Sequence, residues 1–331
     1  MTTIAPLPDP ATPLDHQSAD QAFADILDGK VPDAAVAAFL IALSDRGETS
    51  IEIAAAARAL RRRMLPIAAP ADAIDVCGTG GDGHHTLNVS TAVALVVAGC
   101  GVPVAKHGNR AASSKAGAAD TLEALGLDMA RAGESAEASL AELGICFLFA
   151  ANHHPAMRRI QPIRKAIGRR TIFNLMGPLA NPARTMRQLI GIARPDYVGT
   201  YAEALALLGD GRAWVVSGEE GLDEISIAGP TALVEVDGGA TRARTLLPED
   251  AALPRHPIAA IRGGDEAENA AALRRLLGGE QGAYRDAVLL NAAAALMVAG
   301  EVADLPAAAA RAAEALDTGA ADDLLEKWLR F

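Results

Sequence analysis

Apolar residues return at helical spacing from about residue 16 to residue 64. One segment runs from Pro32 through Ala34-Ala35-Val36-Ala37-Ala38-Phe39-Leu40 to Gly47. The next opens with Thr49 or Ser50 as cap and closes on Arg61, Arg62 and Arg63, basic residues suited to the negative end of a helix. This pattern predicts a small all-helical unit. Ahead of it, Pro6, Pro8, Pro10 and Pro13 make residues 1–14 read as a flexible arm.

The texture changes at residue 74. Ile74-Asp75-Val76-Cys77 is a short strand candidate, followed by a glycine-rich loop, a helix over about 91–98 and a second strand over 102–105. Strand, loop, helix and strand in that order form a βαβ unit, which implies a parallel sheet. Ala213-Trp214-Val215-Val216 and Ala232-Leu233-Val234-Glu235-Val236 read as further strands, and 267–330 as alanine-rich helix. A length of 331 residues suits two domains or one large one.

Composition narrows the function. The net charge of −11 disfavours a general nucleic-acid binder, which needs an excess of Lys and Arg. Three scattered cysteines, Cys77, Cys100 and Cys146, offer neither a disulfide framework nor a zinc site and suit a reducing cytosol. The most apolar run, 92–104, is too short to span a bilayer and is broken by Gly99, Gly101 and Pro103. The expectation is a cytoplasmic protein with no membrane or nucleic-acid partner.

The loop Gly78-Thr79-Gly80-Gly81-Asp82-Gly83 has the spacing G-x-G-x-x-G. A dinucleotide fold would require a carboxylate about 20 residues on. After Asp82 the next one is Asp120. A P-loop fails too, since His84 follows Gly83 where Lys-Ser/Thr is required. Asn88, Ser90 and Thr91 open the following helix, where short polar side chains cap the helix or meet an anion. Asp82 would repel a phosphate, so it should turn away or meet a metal.

Two stretches carry bases and no acids. Residues 83–119 hold Lys106, Arg110 and Lys115. Residues 143–195 hold Arg158, Arg159, Arg164, Lys165, Arg169, Arg170, Arg184, Arg187 and Arg194. Chance clustering on exposed helices accounts for Arg169 and Arg170; a site for a multiply charged anion accounts for the pattern as a whole. Asp223-Glu224, after the turn Gly218-Glu219-Glu220-Gly221, suits magnesium, a hard cation shared with substrate phosphates.

Taken together, the blocks at 78–83 and Asn88-Val89-Ser90-Thr91, Lys106-His107-Gly108-Asn109-Arg110, Arg164, 174–182 and Gly221-Leu222-Asp223-Glu224 resemble the anthranilate phosphoribosyltransferase family over residues 20–320. The resemblance implies an α/β fold of the nucleoside phosphorylase/phosphoribosyltransferase kind. A small all-helical domain, 15–70 and completed by about 165–195, joins a larger α/β domain with a central sheet, 71–331. It also implies a homodimer through the helical domain.

The resemblance further implies that Gly78, Thr79, Gly80, Gly81, Asn88, Ser90, Thr91 and Lys106 hold phosphoribosyl pyrophosphate, and that Asp82 and Thr86 are among the substrate-binding residues. Asp223 and Glu224, with Ser90, would hold Mg2+. His107, Asn109, His154, Gly177 and Arg164 would line the anthranilate path, with Arg164 on the substrate carboxylate and Lys106, His107 and Asn109 closest to the chemistry. Two positions depart from the family pattern: Ala118 stands where serine often touches the diphosphate, and Ala151 where proline often borders the channel. Ser113 or Ser114 is the alternative source of the missing hydroxyl. The rival functions are a pyrimidine-nucleoside phosphorylase, whose Lys-His-Ser-Thr-Gly-Gly loop is absent here, and a non-catalytic nucleic-acid-binding relative, which would be more basic.

Overall fold

A computed structural model of the chain describes residues 5–111, 115–209 and 211–331. Three helices open it: α1 (His16–Leu27), α2 (Asp33–Arg46) and α3 (Ser50–Arg61). Thr49 caps α3 in a reciprocal box: its Oγ1 accepts from Glu52 N–H at 3.3 Å, and Glu52 Oε2 accepts from Thr49 N–H at 2.8 Å. Glu52 is fully buried, and it also accepts from Leu14 N–H and Arg46 Nη2. Residues 5–14 are therefore docked where the proline pattern suggested a flexible arm: Ala5 N–H reaches Lys30 O, Arg46 holds Pro10 O, and Leu14 is buried. Residues 1–4 lie outside the described residues.

The α/β part begins with β1 (Ile74–Gly78), α4 (Val89–Gly99) and β2 (Val104–Gly108). The second strand starts and ends later than the hydrophobic pattern indicated. Lys106 and His107 continue it because their polar atoms find buried partners. Next come α5 (Ala118–Ala124), α6 (Met129–Glu134), α7 (Ala136–Leu143), β3 (Ile145–Phe149), α8 (Ala150–His153) and α9 (Met157–Ile167). The chain then forms β4 (Arg187–Gly191), α10 (Val198–Leu208), β5 (Arg212–Gly218), β6 (Thr231–Asp237) and β7 (Ala240–Leu246). Helices α11 (Glu266–Leu277), α12 (Ala283–Ala299), α13 (Leu305–Asp317) and α14 (Ala320–Arg330) complete it.

The seven strands form one mixed sheet in the order β3-β2-β1-β4-β5-β6-β7. The first five in that order run parallel; β6 and β7 add antiparallel, and β7 is an outer edge exposed along nearly its whole length. Both faces are covered, and β5 shows how. Trp214 and Val216 enter the core with α4 and α12–α14, while Ala213 and Val215 enter the core shared with α1–α3, α9 and α10. Strand alternation thus welds the helical unit to one face of the sheet.

The 165–195 stretch, expected to complete the helical unit, divides. Ile163 on α9 and Ile172 to Ala180 join its core, whereas residues 187–191 are a central strand. Strand order reverses direction at β1, with β2 on one side and β4 on the other. The carboxyl ends of strands at such a switch point open into a crevice.

Candidate active site

The glycine loop leaves the carboxyl end of β1 and meets the acid pair. Gly80 N–H donates to Asp223 Oδ2 at 2.6 Å. A side chain on Gly78 would place its Cβ 2.2 Å from the same oxygen, and one on Gly191 would lie 1.7 Å from Asp223 O. Both strand ends must therefore be bare for the acid loop to cross them. Thr79 N–H donates to Gly191 O, and its Oγ1 accepts from Ala193 N–H, so the loop is stitched to the end of β4. Asp82 turns its Oδ1 to His84 N–H and lies beside Asp223; His84 Nε2 in turn meets Glu220 O at 3.1 Å.

Helix α4 starts directly after this loop. Asn88 occupies its N-cap but makes no capping hydrogen bond. Its Oδ1 accepts instead from Thr121 Oγ1 and Asn269 Nδ2. The Ser90 N–H lies against Glu224 and favours its charged form, and Thr91 Oγ1 is buried with no partner among the described residues. Thr86 bridges through its backbone to Arg262.

Beneath the loop Lys106 is 2% exposed, and its Nζ donates to Val76 O at 2.7 Å and Ser90 Oγ at 3.2 Å. Burial pulls its pKa down, while Asp75, Glu224 and Asp223 oppose that shift. Burial and then Asp82 push Asp223 up to about 7; burial and then Asp223 push Glu224 up to about 8. Crowded, desolvated carboxylates of this kind lack a cation of sufficient charge. The oxygen donors of Asp223, Glu224 and Ser90 therefore fit magnesium, which is commonly held through one or two carboxylates plus substrate phosphates.

The other wall is built from the ends of β2 and α8. His107 N–H donates to buried Asp75, and its ring Nδ1 meets Gly177 O at 2.8 Å. A carbonyl only accepts, so Nδ1 carries the proton and Nε2 accepts from His154 Nε2 at 3.2 Å. His154 Nδ1 is then left buried without a partner among the described residues. Burial, followed by nearby histidines, pulls His107 down to about 3 and His154 down to about 4, so both rings are neutral. Arg164, on α9, is partly buried, and burial lowers its pKa; it has no ion pair among the described residues. Asn109 lies just beyond β2, with its Oδ1 on Arg110 N–H.

Four of the nine arginines in the acid-free stretches pair with acids that lie outside those stretches. Arg110 pairs with Asp120 and Glu123, Arg159 with Asp33, Arg169 with Asp45 and Arg194 with Asp196. Lys106 is buried beneath the glycine loop, Arg170 reaches Gly80 O, and Arg164 has no ion pair among the described residues. His153 is structural, its Nδ1 on Leu65 O. Sequence reasoning missed Asn291, which clamps the chain after the acid pair through both the N–H and the carbonyl of Ile225. It also missed Asp75 as a buried organiser of β2, although a charge inside so short an apolar strand was a usable signal. Ser113 and Ser114 lie outside the described residues. Ala118 begins α5 beside Gly108, and Ala151 is exposed on α8.

Comparison with known proteins agrees with this geometry. Residues 11–64 match the helical bundle domain of a glycosyl transferase family, and residues 70–322 match its a/b domain. The chain is 67% identical over 323 residues to anthranilate phosphoribosyltransferase of Novosphingobium aromaticivorans, covering 98% of each chain. Among solved structures, that of the Thermus thermophilus anthranilate phosphoribosyltransferase superposes with a TM-score of 0.89 at 45% identity, covering 97% of this chain and 96% of the other. The Saccharomyces cerevisiae anthranilate phosphoribosyltransferase in complex with PRPP and Mg superposes at 0.86 with 28% identity, covering 96% and 93%.

Proposed function

This chain belongs to the anthranilate phosphoribosyltransferase family, and we infer that it transfers the 5-phosphoribosyl group of phosphoribosyl pyrophosphate to the amine of anthranilate. The products are N-(5-phosphoribosyl)anthranilate and pyrophosphate, a step of tryptophan biosynthesis. The observation that carries this reading is the meeting of the glycine loop with Asp223 beside buried Lys106; Arg164, partly buried and without an ion pair among the described residues, is the cation we assign to the wall of His107 and His154.

The start of α4, which has no side-chain cap, presents backbone donors to the diphosphate. Lys106 adds a buried positive charge that strengthens as charge builds on the departing pyrophosphate. Asp223, Glu224 and Ser90 would hold magnesium, which when bound supplies positive charge to the leaving group. The planar fork of Arg164 suits the anthranilate carboxylate and so orients the neighbouring amine. The amine lone pair forms the new bond at the anomeric carbon as the carbon–oxygen bond to pyrophosphate breaks, and the nitrogen then sheds a proton. Neutral His107 and His154 line this path with dipoles and add no charge that would compete with the carboxylate for Arg164.

The resemblance to the family supports a homodimer through the helical unit. Free Cys77, Cys100 and Cys146 support a reducing cytosol, and no helix among the described residues is long and apolar enough to cross a membrane. The direct test is to follow loss of anthranilate fluorescence with phosphoribosyl pyrophosphate and magnesium, while measuring pyrophosphate release. Equal rates of the two are expected; undiminished fluorescence would overturn the reading.

A further inference from the structure

Arg170 sits where the helical unit meets the glycine loop. Helix α9 stops at Gly168, and the next two residues are fastened to the end of α2: Arg169 pairs with Asp45, and Arg170 O accepts from Ser44 Oγ at 3.2 Å. From this anchored backbone the Arg170 side chain reaches the loop. Its Nη2 donates to Gly80 O at 2.7 Å. The same nitrogen would lie 3.2 Å from a Cβ on Gly81, so a bare Gly81 lets the guanidinium rest against the loop.

Gly80 is therefore held at both of its polar atoms. Its N–H goes to Asp223 from the α/β domain, and its carbonyl accepts from an arginine anchored on the helical side. Gly80, Gly81 and Gly83 all have positive φ, at 70°, 75° and 80°. A glycine-rich segment in that region has many alternative conformations and loses much entropy when fixed in one. A charge-assisted bond to its carbonyl is the kind of contact that offsets such a loss.

We propose that Arg170 is a positioning residue that holds the glycine loop in its phosphate-receiving shape and ties that shape to the seating of the helical unit. It donates to the loop's backbone and leaves the reacting atoms to other groups. The kinetic consequence rests on the reading of this loop as the diphosphate cradle; the ordering of the loop does not.

The test uses the full chain without ligand. Hydrogen exchange is measured for peptides covering the loop in the wild type, Arg170→Ala, Arg170→Lys and Arg169→Ala, with thermal unfolding recorded alongside. Losing one charge-assisted bond should speed exchange in the loop of Arg170→Ala by about tenfold and raise the KM for phosphoribosyl pyrophosphate by a similar factor. The kcat should fall by less than about threefold, because the reacting atoms are untouched. Arg170→Lys, which keeps charge and a donor, should recover part of both effects, and Arg169→Ala, which loosens the anchor to Asp45 but keeps the bond to Gly80 O, should show smaller losses of the same kind. If Arg170→Ala does not fold, graded exchange in Arg170→Lys and Arg170→Gln carries the same expectation. Unchanged loop exchange in folded variants overturns the proposal: with a raised KM, Arg170 is a direct phosphate ligand; with an unchanged KM, a bystander. A wild type inert toward phosphoribosyl pyrophosphate would overturn the functional reading and leave the exchange result standing.

Discussion

On the phosphate wall the charged groups already have partners inside the protein: Lys106 Nζ on Val76 O and Ser90 Oγ, Asp223 on Gly80 N–H, Glu224 against Ser90 N–H. On the opposite wall Arg164 has no ion pair, and His154 Nδ1 no hydrogen bond, among the described residues. The first wall is organised by its own contacts, and under the proposed function it would exchange some of them for a multiply charged substrate. The second holds the polar groups that the same proposal gives to a small aromatic acid. The walls also respond to pH in opposite senses. Raised carboxylates make the native state bind more protons than the unfolded chain between pH about 4 and 8, so their contribution to stability falls as pH rises. Depressed histidines make the native state bind fewer protons below pH about 6.5, so their contribution falls as pH drops toward 4 and 3.

The largest expected effect comes from neutralising the phosphate wall. Asp223→Asn with Glu224→Gln should lower turnover by at least about 100-fold, and chemical unfolding at pH 8 should show a ligand-free variant more stable than the wild type by on the order of 2 kcal/mol. Full activity of this variant in chelated buffer would break the metal assignment. On the opposite wall, Arg164→Ala should lower kcat/KM for anthranilate by about 1.5–3 kcal/mol and leave the affinity for phosphoribosyl pyrophosphate nearly unchanged. Steady-state titration of both substrates decides this; damage confined to the second substrate would show the walls wrongly divided.

A smaller effect separates the two pH limbs, which offset each other in the wild type. Unfolding free energies measured from pH 8 to pH 5 should show the acid-pair variant losing about 1–2 kcal/mol per buried histidine below pH 6.5. His154→Gln should show the alkaline decline more plainly than the wild type. Parallel curves for all three proteins would remove the contrast. The smallest effect is at Ala118, where Ala118→Ser should tighten phosphoribosyl pyrophosphate by about 0.5–1.5 kcal/mol, read as a lower KM. An unchanged KM, together with a loss in Ser113→Ala or Ser114→Ala, would mean that a neighbour supplies the contact.

What was legible in the sequence followed from local rules. The βαβ order, the capped α3 and the glycine loop each show in a short window, because their causes lie within a few residues. The acid pair needed the loop beside it to gain meaning. The rest depended on contacts between distant segments. Arg170 looked like half of a chance basic pair until the fold carried it 90 residues back to Gly80. Arg110 looked free because its partners, Asp120 and Glu123, lie past the end of the acid-free window. Asn88 looked like a cap, yet Asn269 and Thr121 claim its side-chain oxygen. Lys106 ended the apolar pattern of β2 without ending the strand, because burial with satisfied donors is invisible to hydrophobic periodicity.

The exposed outer strand β7 carries a consequence for how the molecule behaves in a crowd. Its free backbone groups are a template on which another chain can zip up, the usual route from a folded sheet to a fibrous aggregate. Arg242 and Arg244 stand on one side of that strand; Arg244 is paired with Glu235, and Arg242 has no ion pair among the described residues. Arginines on an exposed edge oppose the pairing of a further strand, as charged side chains on edge strands do. The sheet thus ends at β7 in a charged border, on a chain that is half hydrophobic.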